Sequence, residues 1–107
     1  MDLHNEPHKA SWGQGNQWTD WNKAAERIGN HVLSRCPRWL INVEGVGYDP
    51  GAVNSRGIPG LWWGENLVGV KVAPVRLTNQ SKLVYSPHTC TAASMLERAP
   101  CLTNRAR

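Results

Sequence analysis

The sequence contains no phenylalanine. A core built for packing alone draws on Phe, yet the aromatic side chains here are six Trp and two Tyr. Indole combines a flat apolar face with one N–H donor, so it suits a groove as well as a core. Both uses stay open for each Trp. Long apolar runs are also missing; none approaches the ~20 residues of a membrane helix. Cysteine is scarce: Cys36, Cys90 and Cys101 show no metal-ligand spacing, and at least one must stay unpaired. Residues 1–8 hold neither a basic region nor an apolar stretch, so they do not read as a secretory signal. Clustered charge is absent too. Twelve Lys and Arg against eight Asp and Glu give a net +4, but they are scattered apart from Arg98, Arg105 and Arg107. A nucleic-acid footprint needs a patch, so that class is set aside.

What is present has the rhythm of an α/β protein. The 107 residues, 40% hydrophobic, fit one small domain of marginal stability. Pro7 stops any helix near the start, and residues 9–17 are polar and Gly-rich, a loop. Thr19 and Asp20 are both credible helix caps. After them Trp21, Ala25, Ile28 and Val32 recur at spacings of four, three and four, the stripe of an amphipathic helix. Leu33 and Cys36 widen that stripe; Lys23, Glu26, Arg27 and Asn30 lie opposite, and Pro37 ends the helix. Residues 39–43 form a short apolar run of the kind found in buried parallel strands. Residues 48–60 read as a long loop. A Val-rich segment broken by Pro74 leads to a second strand candidate over 83–86, closed by Pro87. Strand, helix, strand, loop and strand imply a parallel sheet.

Asn5-Glu6-Pro7 is the first candidate for chemistry. A carboxylic acid that protonates a leaving oxygen at neutral pH sits partly desolvated among polar groups. The C-terminal tip of a parallel strand supplies such a place. Alone, the tripeptide is also compatible with a turn carrying an exposed Glu.

Its surroundings carry more. Asp2-Leu3-His4-Asn5-Glu6-Pro7-His8 resembles the acid/base motif of glycoside hydrolase family 5, the cellulase or endoglucanase family. In order, Trp21-Asn22-Lys23-Ala24-Ala25-Glu26-Arg27-Ile28-Gly29-Asn30 resembles the helix that follows that motif. Trp39-Leu40-Ile41-Asn42-Val43-Glu44-Gly45-Val46 resembles the next strand. Trp62-Trp63-Gly64-Glu65-Asn66-Leu67 is similar to the family's Trp-Trp-Gly-Gly-Asn-Leu segment, with Glu65 where Gly is usual. Leu83-Val84-Tyr85-Ser86-Pro87-His88 resembles the strand that delivers an active-site His. The resemblance spans about residues 2 to 89, and it is the ordered set of five that is specific.

The resemblance implies a fragment of a (β/α)8 TIM barrel, about strands 4 to 6 with their connecting helices. Residues 1–89 would form this partial barrel domain and 90–107 a divergent, disordered tail; a frame slip, a misplaced splice or an interrupted gene near position 90 would account for the tail. By the same resemblance Glu6 is the general acid/base, and Asn5 binds the sugar hydroxyl next to the reacting carbon. His88 lines the cleaved-bond subsite, while Trp62 and Trp63 line the cleft. The Tyr of the family's His-x-Tyr motif falls on Cys90, and a thiol cannot replace that phenol. Glu44 also ends a strand; it is expected to be structural or at the rim, since the family's nucleophile comes from a later strand. His4 and His8 lack a third ligand partner, so no metal and no cofactor are expected. The implied partner is a β-1,4-glucan polysaccharide, hydrolysed with retention by a longer secreted parent, with no nucleic acid or membrane involved. The alternatives are a non-catalytic carbohydrate-binding remnant, holding glucan on Trp62, Trp63 and Trp12, or a gene fragment without function.

Overall fold

The computed structural model of the chain describes residues 1–47 and 63–88. The loop expected over 48–60, Trp62, Cys90 and the tail after it lie outside the described residues. Three parallel segments lie side by side. Strand β1 (Ile41–Val43) pairs in parallel with β2 (Leu83–Tyr85), Ile41 opposite Leu83 and Val43 opposite Tyr85. Along its other edge runs the N-terminal segment, bridged in parallel from Asp2 to Asn42. There the Asn42 N–H donates to the Met1 carbonyl at 2.8 Å and the Leu3 N–H to the Asn42 carbonyl at 3.3 Å. Chain order is therefore also spatial order, as in successive β-α units.

Helix α1 (Trp21–Arg35) connects the first two segments. Its buried residues are Trp21, Asn22, Ala25, Gly29 and Leu33. This face is rotated from the apolar stripe read in the sequence: Ile28 is 41% exposed, and Val32 only partly buried. Gly29 is the reason. A Cβ there would stand 2.8 Å from Leu77 Cδ2 and 3.2 Å from Ile41 Cγ2, so the bare backbone lets the helix settle on that side. The polar side is partly used as well. The Glu26 carboxylate accepts the Arg76 N–H, and the Asn30 side chain accepts the Thr78 N–H and donates to the Arg76 carbonyl.

The helix starts at a residue that does not cap it. Asp20 sits at the N-cap without a side-chain cap bond. Its buried carboxylate instead faces the preceding loop, accepting from Ser11 Oγ and the N–H groups of Gln14, Gly15 and Asn16 at 2.6–3.1 Å. Burial pushes this carboxyl up, but those four donors outweigh it and hold it below the ordinary value.

The strand after α1 begins later than the apolar run. Trp39 and Leu40 are half-exposed as the chain leaves a turn closed by the Trp39 N–H on the Cys36 carbonyl. Between β1 and β2 the described residues form two short 3-10 turns, Val68–Lys71 and Gln80–Lys82. The core gathers Trp12, Trp21, Ala25, Leu33, Ile41, Val43, Val46, Val75 and Leu77. Trp12 thus belongs to the core rather than to a groove. It is 5% exposed, and its Nε1–H donates to the Ala73 carbonyl at 2.7 Å.

Just past β1, Val46 and Asn66 exchange two backbone hydrogen bonds. Gly45 lies against this bridge, where a Cβ would fall 2.6 Å from the Asn66 N, C and O atoms. These are main-chain atoms that cannot swing away. Gly45→Ala is expected to destabilise the fold by ~1–3 kcal/mol or more through overpacking, read by urea unfolding. A loss below about 0.5 kcal/mol would mean that the bridge yields freely.

Candidate active site

Because the three segments are parallel, their C-terminal ends leave the sheet at one edge. That edge collects Glu6, Glu44 and His88. In β-α architectures this is where reactive groups are displayed. His88 Nδ1 lies 3.2 Å from Glu6 Oε1, and His88 Nε2 lies 2.9 Å from Glu44 Oε1. The second oxygen of Glu44 accepts the backbone N–H of Glu6 at 2.7 Å. Imidazole therefore stands between two carboxylates, one of which also grips the main chain of the other.

The backbone around the site is fitted closely. Gly64 has φ +81°, and a Cβ on it would fall 2.6 Å from Glu44 Oε2 and 3.5 Å from Glu6 Cα. Its carbonyl accepts the N–H of Gly45 at 2.8 Å and of His88 at 3.1 Å. Glu6 and Lys9 both take positive φ, 50° and 53°. Left-handed backbone at a non-glycine residue is uncommon and is concentrated at functional sites.

Glu44 is fully buried. Burial pushes its carboxyl up to about 7; the neighbouring Asp2 carboxyl adds to the rise, while the Glu6 N–H and His88 oppose it. Its Oε1 lies in ion-pair reach of His88 Nε2, 2.9 Å away, but makes no hydrogen bond. The sequence reading put Glu44 at the rim or in a structural place. It is not at the rim: it occupies the floor of the cluster. The available signal was a strand-end acid, Val43-Glu44-Gly45, on the strand next to the Asn5-Glu6-Pro7 motif.

The other expected residues divide. Asn5 is exposed beside Glu6, with its carbonyl 2.9 Å from His4 Nδ1. Trp63 is 52% exposed and stacks on His8 at 4.8 Å between ring centroids. Gly47 passes beneath it; a Cβ there would meet Trp63 Cδ1 at 2.7 Å. His4 packs edge-on against Trp21. Neither His4 nor His8 joins a group of metal-ligand type. Among the described residues that grouping is Asp2, Glu44 and His88, with donor atoms within 4.8 Å of one another. Glu44 and His88 face each other there at ion-pair distance.

This edge carries two carboxylates, a histidine between them and a half-exposed indole; which chemistry such a set serves is a matter of family. The family comparison decides it: residues 1–97 match the model of cellulase, glycosyl hydrolase family 5. The chain belongs to glycosyl hydrolase family 5. Within that family it is similar to an endoglucanase of Paenibacillus polymyxa, 54% identical over 88 residues that make up 81% of this chain and 21% of that protein. The major extracellular endoglucanase of Xanthomonas campestris pv. campestris is 45% identical over 82% of this chain and 18% of its own length. The solved catalytic domain of the Xanthomonas enzyme aligns with a TM-score of 0.69 at 45% identity, covering 82% of this chain and 25% of that one. A cellulase–inhibitor complex aligns at 0.76 and 43% identity, over 92% of this chain and 29% of that one. The family 5 chain thus folds like part of an endoglucanase catalytic domain. It spans about one fifth of the curated relatives' length.

Proposed function

We propose that this chain carries the acid/base half of a retaining active site for β-1,4-glucan. Glu6 is the general acid/base, and Asn5 binds the hydroxyl next to the reacting carbon. His88 lines the cleaved-bond subsite, while Trp63, with Trp62 before it, stacks on glucose rings. The contact between Glu6 and His88 at the sheet's C-terminal edge carries this reading. It joins residues 82 positions apart at the edge where a barrel enzyme keeps its reactive groups. The three parallel segments correspond to about strands 4 to 6 of an eight-stranded barrel, and the parent protein is secreted.

The chemistry asks Glu6 to give its proton to the glycosidic oxygen as the bond to the anomeric carbon breaks. Retention needs a second carboxylate roughly 5 Å away as nucleophile. Glu44 is unsuited, because no sugar reaches a side chain with 0% exposure. The chain therefore supplies proton transfer and sugar contacts, and is inactive by itself.

The test measures cellotetraose binding and reducing-end release by the purified 107-residue chain. Binding without turnover is expected, with Trp63→Ala weakening it about tenfold, ~1.4 kcal/mol of lost stacking. Absence of any binding by the folded chain would overturn the proposal. Turnover abolished by Glu6→Gln would overturn the claim that the site is incomplete.

A further inference from the structure

We propose that Glu44 is a positioning residue: one carboxylate oxygen holds the main chain of Glu6 by a hydrogen bond, and the charge on the other, close to Nε2, sets the tautomer of the His88 ring. The inference rests on the reading of Glu6 as the acid/base. It begins with the geometry of one buried side chain that touches two others. Oε2 takes the Glu6 N–H at 2.7 Å, at a residue whose φ is 50°. A strained conformation persists when its surroundings over-determine it, and this short charge-assisted bond does so. Gly64 keeps the space for Oε2 free, since any Cβ would overlap it.

The other oxygen selects a tautomer. Ionised Glu44 beside Nε2 favours the imidazole that carries its proton on that nitrogen. Nδ1 then presents a lone pair to Glu6 Oε1, 3.2 Å away. In the acid form Glu6 donates its O–H to Nδ1. When the proton moves to the glycosidic oxygen, Glu6 is left as a carboxylate and that hydrogen bond is given up. Protons balance throughout: His88 gains none and loses none. Glu44 itself never meets the substrate.

Two groups of the N-terminal segment, Asp2 and Glu6, and His88 beyond β2 face Glu44. Asp2 offers a second acceptor. When Glu44 is protonated, its O–H turns to the Asp2 carboxylate and the hold on His88 is released.

The experiment is NMR of the 107-residue chain, following the Glu6 amide proton and the His88 ring nitrogens. In the unsubstituted chain the Glu6 amide shift is expected to inflect near pH 7, the value of Glu44, and His88 is expected as one tautomer, Nε2–H, at pH 8. Glu44→Gln keeps the shape and removes the charge; it is expected to abolish the inflection and give a mixture of tautomers. A wild-type amide with no inflection, or an unchanged tautomer in Glu44→Gln, would overturn the inference. The wild-type titration stands alone if the variant fails to fold. Neither signal depends on glucan, so an absence of cellotetraose binding would sink the functional reading without touching these outcomes.

Discussion

Glu44→Gln should raise the chain's stability at pH 8.5 and leave it nearly unchanged at pH 4. The native carboxyl titrates near 7, against an ordinary value of 4.5 when the chain is unfolded. A group whose folded value is raised lends its stability below the unfolded value, and that stability is lost as pH rises through the folded one. The wild-type chain therefore weakens between about pH 4.5 and 7, by ~3 kcal/mol from this residue. Glutamine never ionises, so the variant escapes the loss. Urea unfolding of both chains across pH 4–9 reads the difference directly. Parallel curves would mean that the buried charge carries no penalty. The expected gain would mean that the charge Glu44 brings to Glu6 and His88 comes at a cost to the fold.

Asp20→Ala carries the second large effect, with opposite sign. Asp20 is 4% exposed and holds Ser11 Oγ and three consecutive N–H groups. Hydrogen bonds to a charged acceptor contribute more than neutral ones, and stranded donors add their own penalty. The expected loss is about 4 kcal/mol, with faster hydrogen exchange at Gln14, Gly15 and Asn16. Asparagine recovers less than half of it. Its amide accepts on one side only, whereas donors approach both oxygens of the carboxylate. This carboxyl lies below its ordinary value, so its contribution is present above pH 3.8 and lost as acid drives pH through the folded value. A variant as stable as the parent at pH 7 would show that the loop gains nothing from being tied.

The two carboxylates also mark where the sequence was legible and where it was not. The helix was readable because its apolar residues repeat locally and Pro37 stops it. Its exact face was not, because Gly29 and Asn22 carry no apolar signal and acquire their burial from Leu77, Ile41 and Gly13. Asp20 looked like a helix cap, and only the folded loop reveals that its oxygens are already occupied. The two short strands were found, each about a residue or two too long at one end. Glu6 and His88 were picked out by resemblance in ordered motifs. For Glu44 the structural place agrees with the fold and the rim does not; its contacts lie with residues 38 and 44 positions away, which no periodicity encodes. Trp12 and Trp63 look alike in the sequence. One is sealed under Ala73 and the other stands half-bare beside His8.

The doubly accepting carbonyl of Gly64 has a consequence for anyone altering this edge. One peptide unit holds the chain at Gly45 and at His88, while the empty side of the same residue houses Glu44 Oε2. Positions 6, 44, 64 and 88 are thus a single coupled variable rather than four independent ones. Effects of changes there will not sum, and a second substitution will cost little once the first has loosened the set.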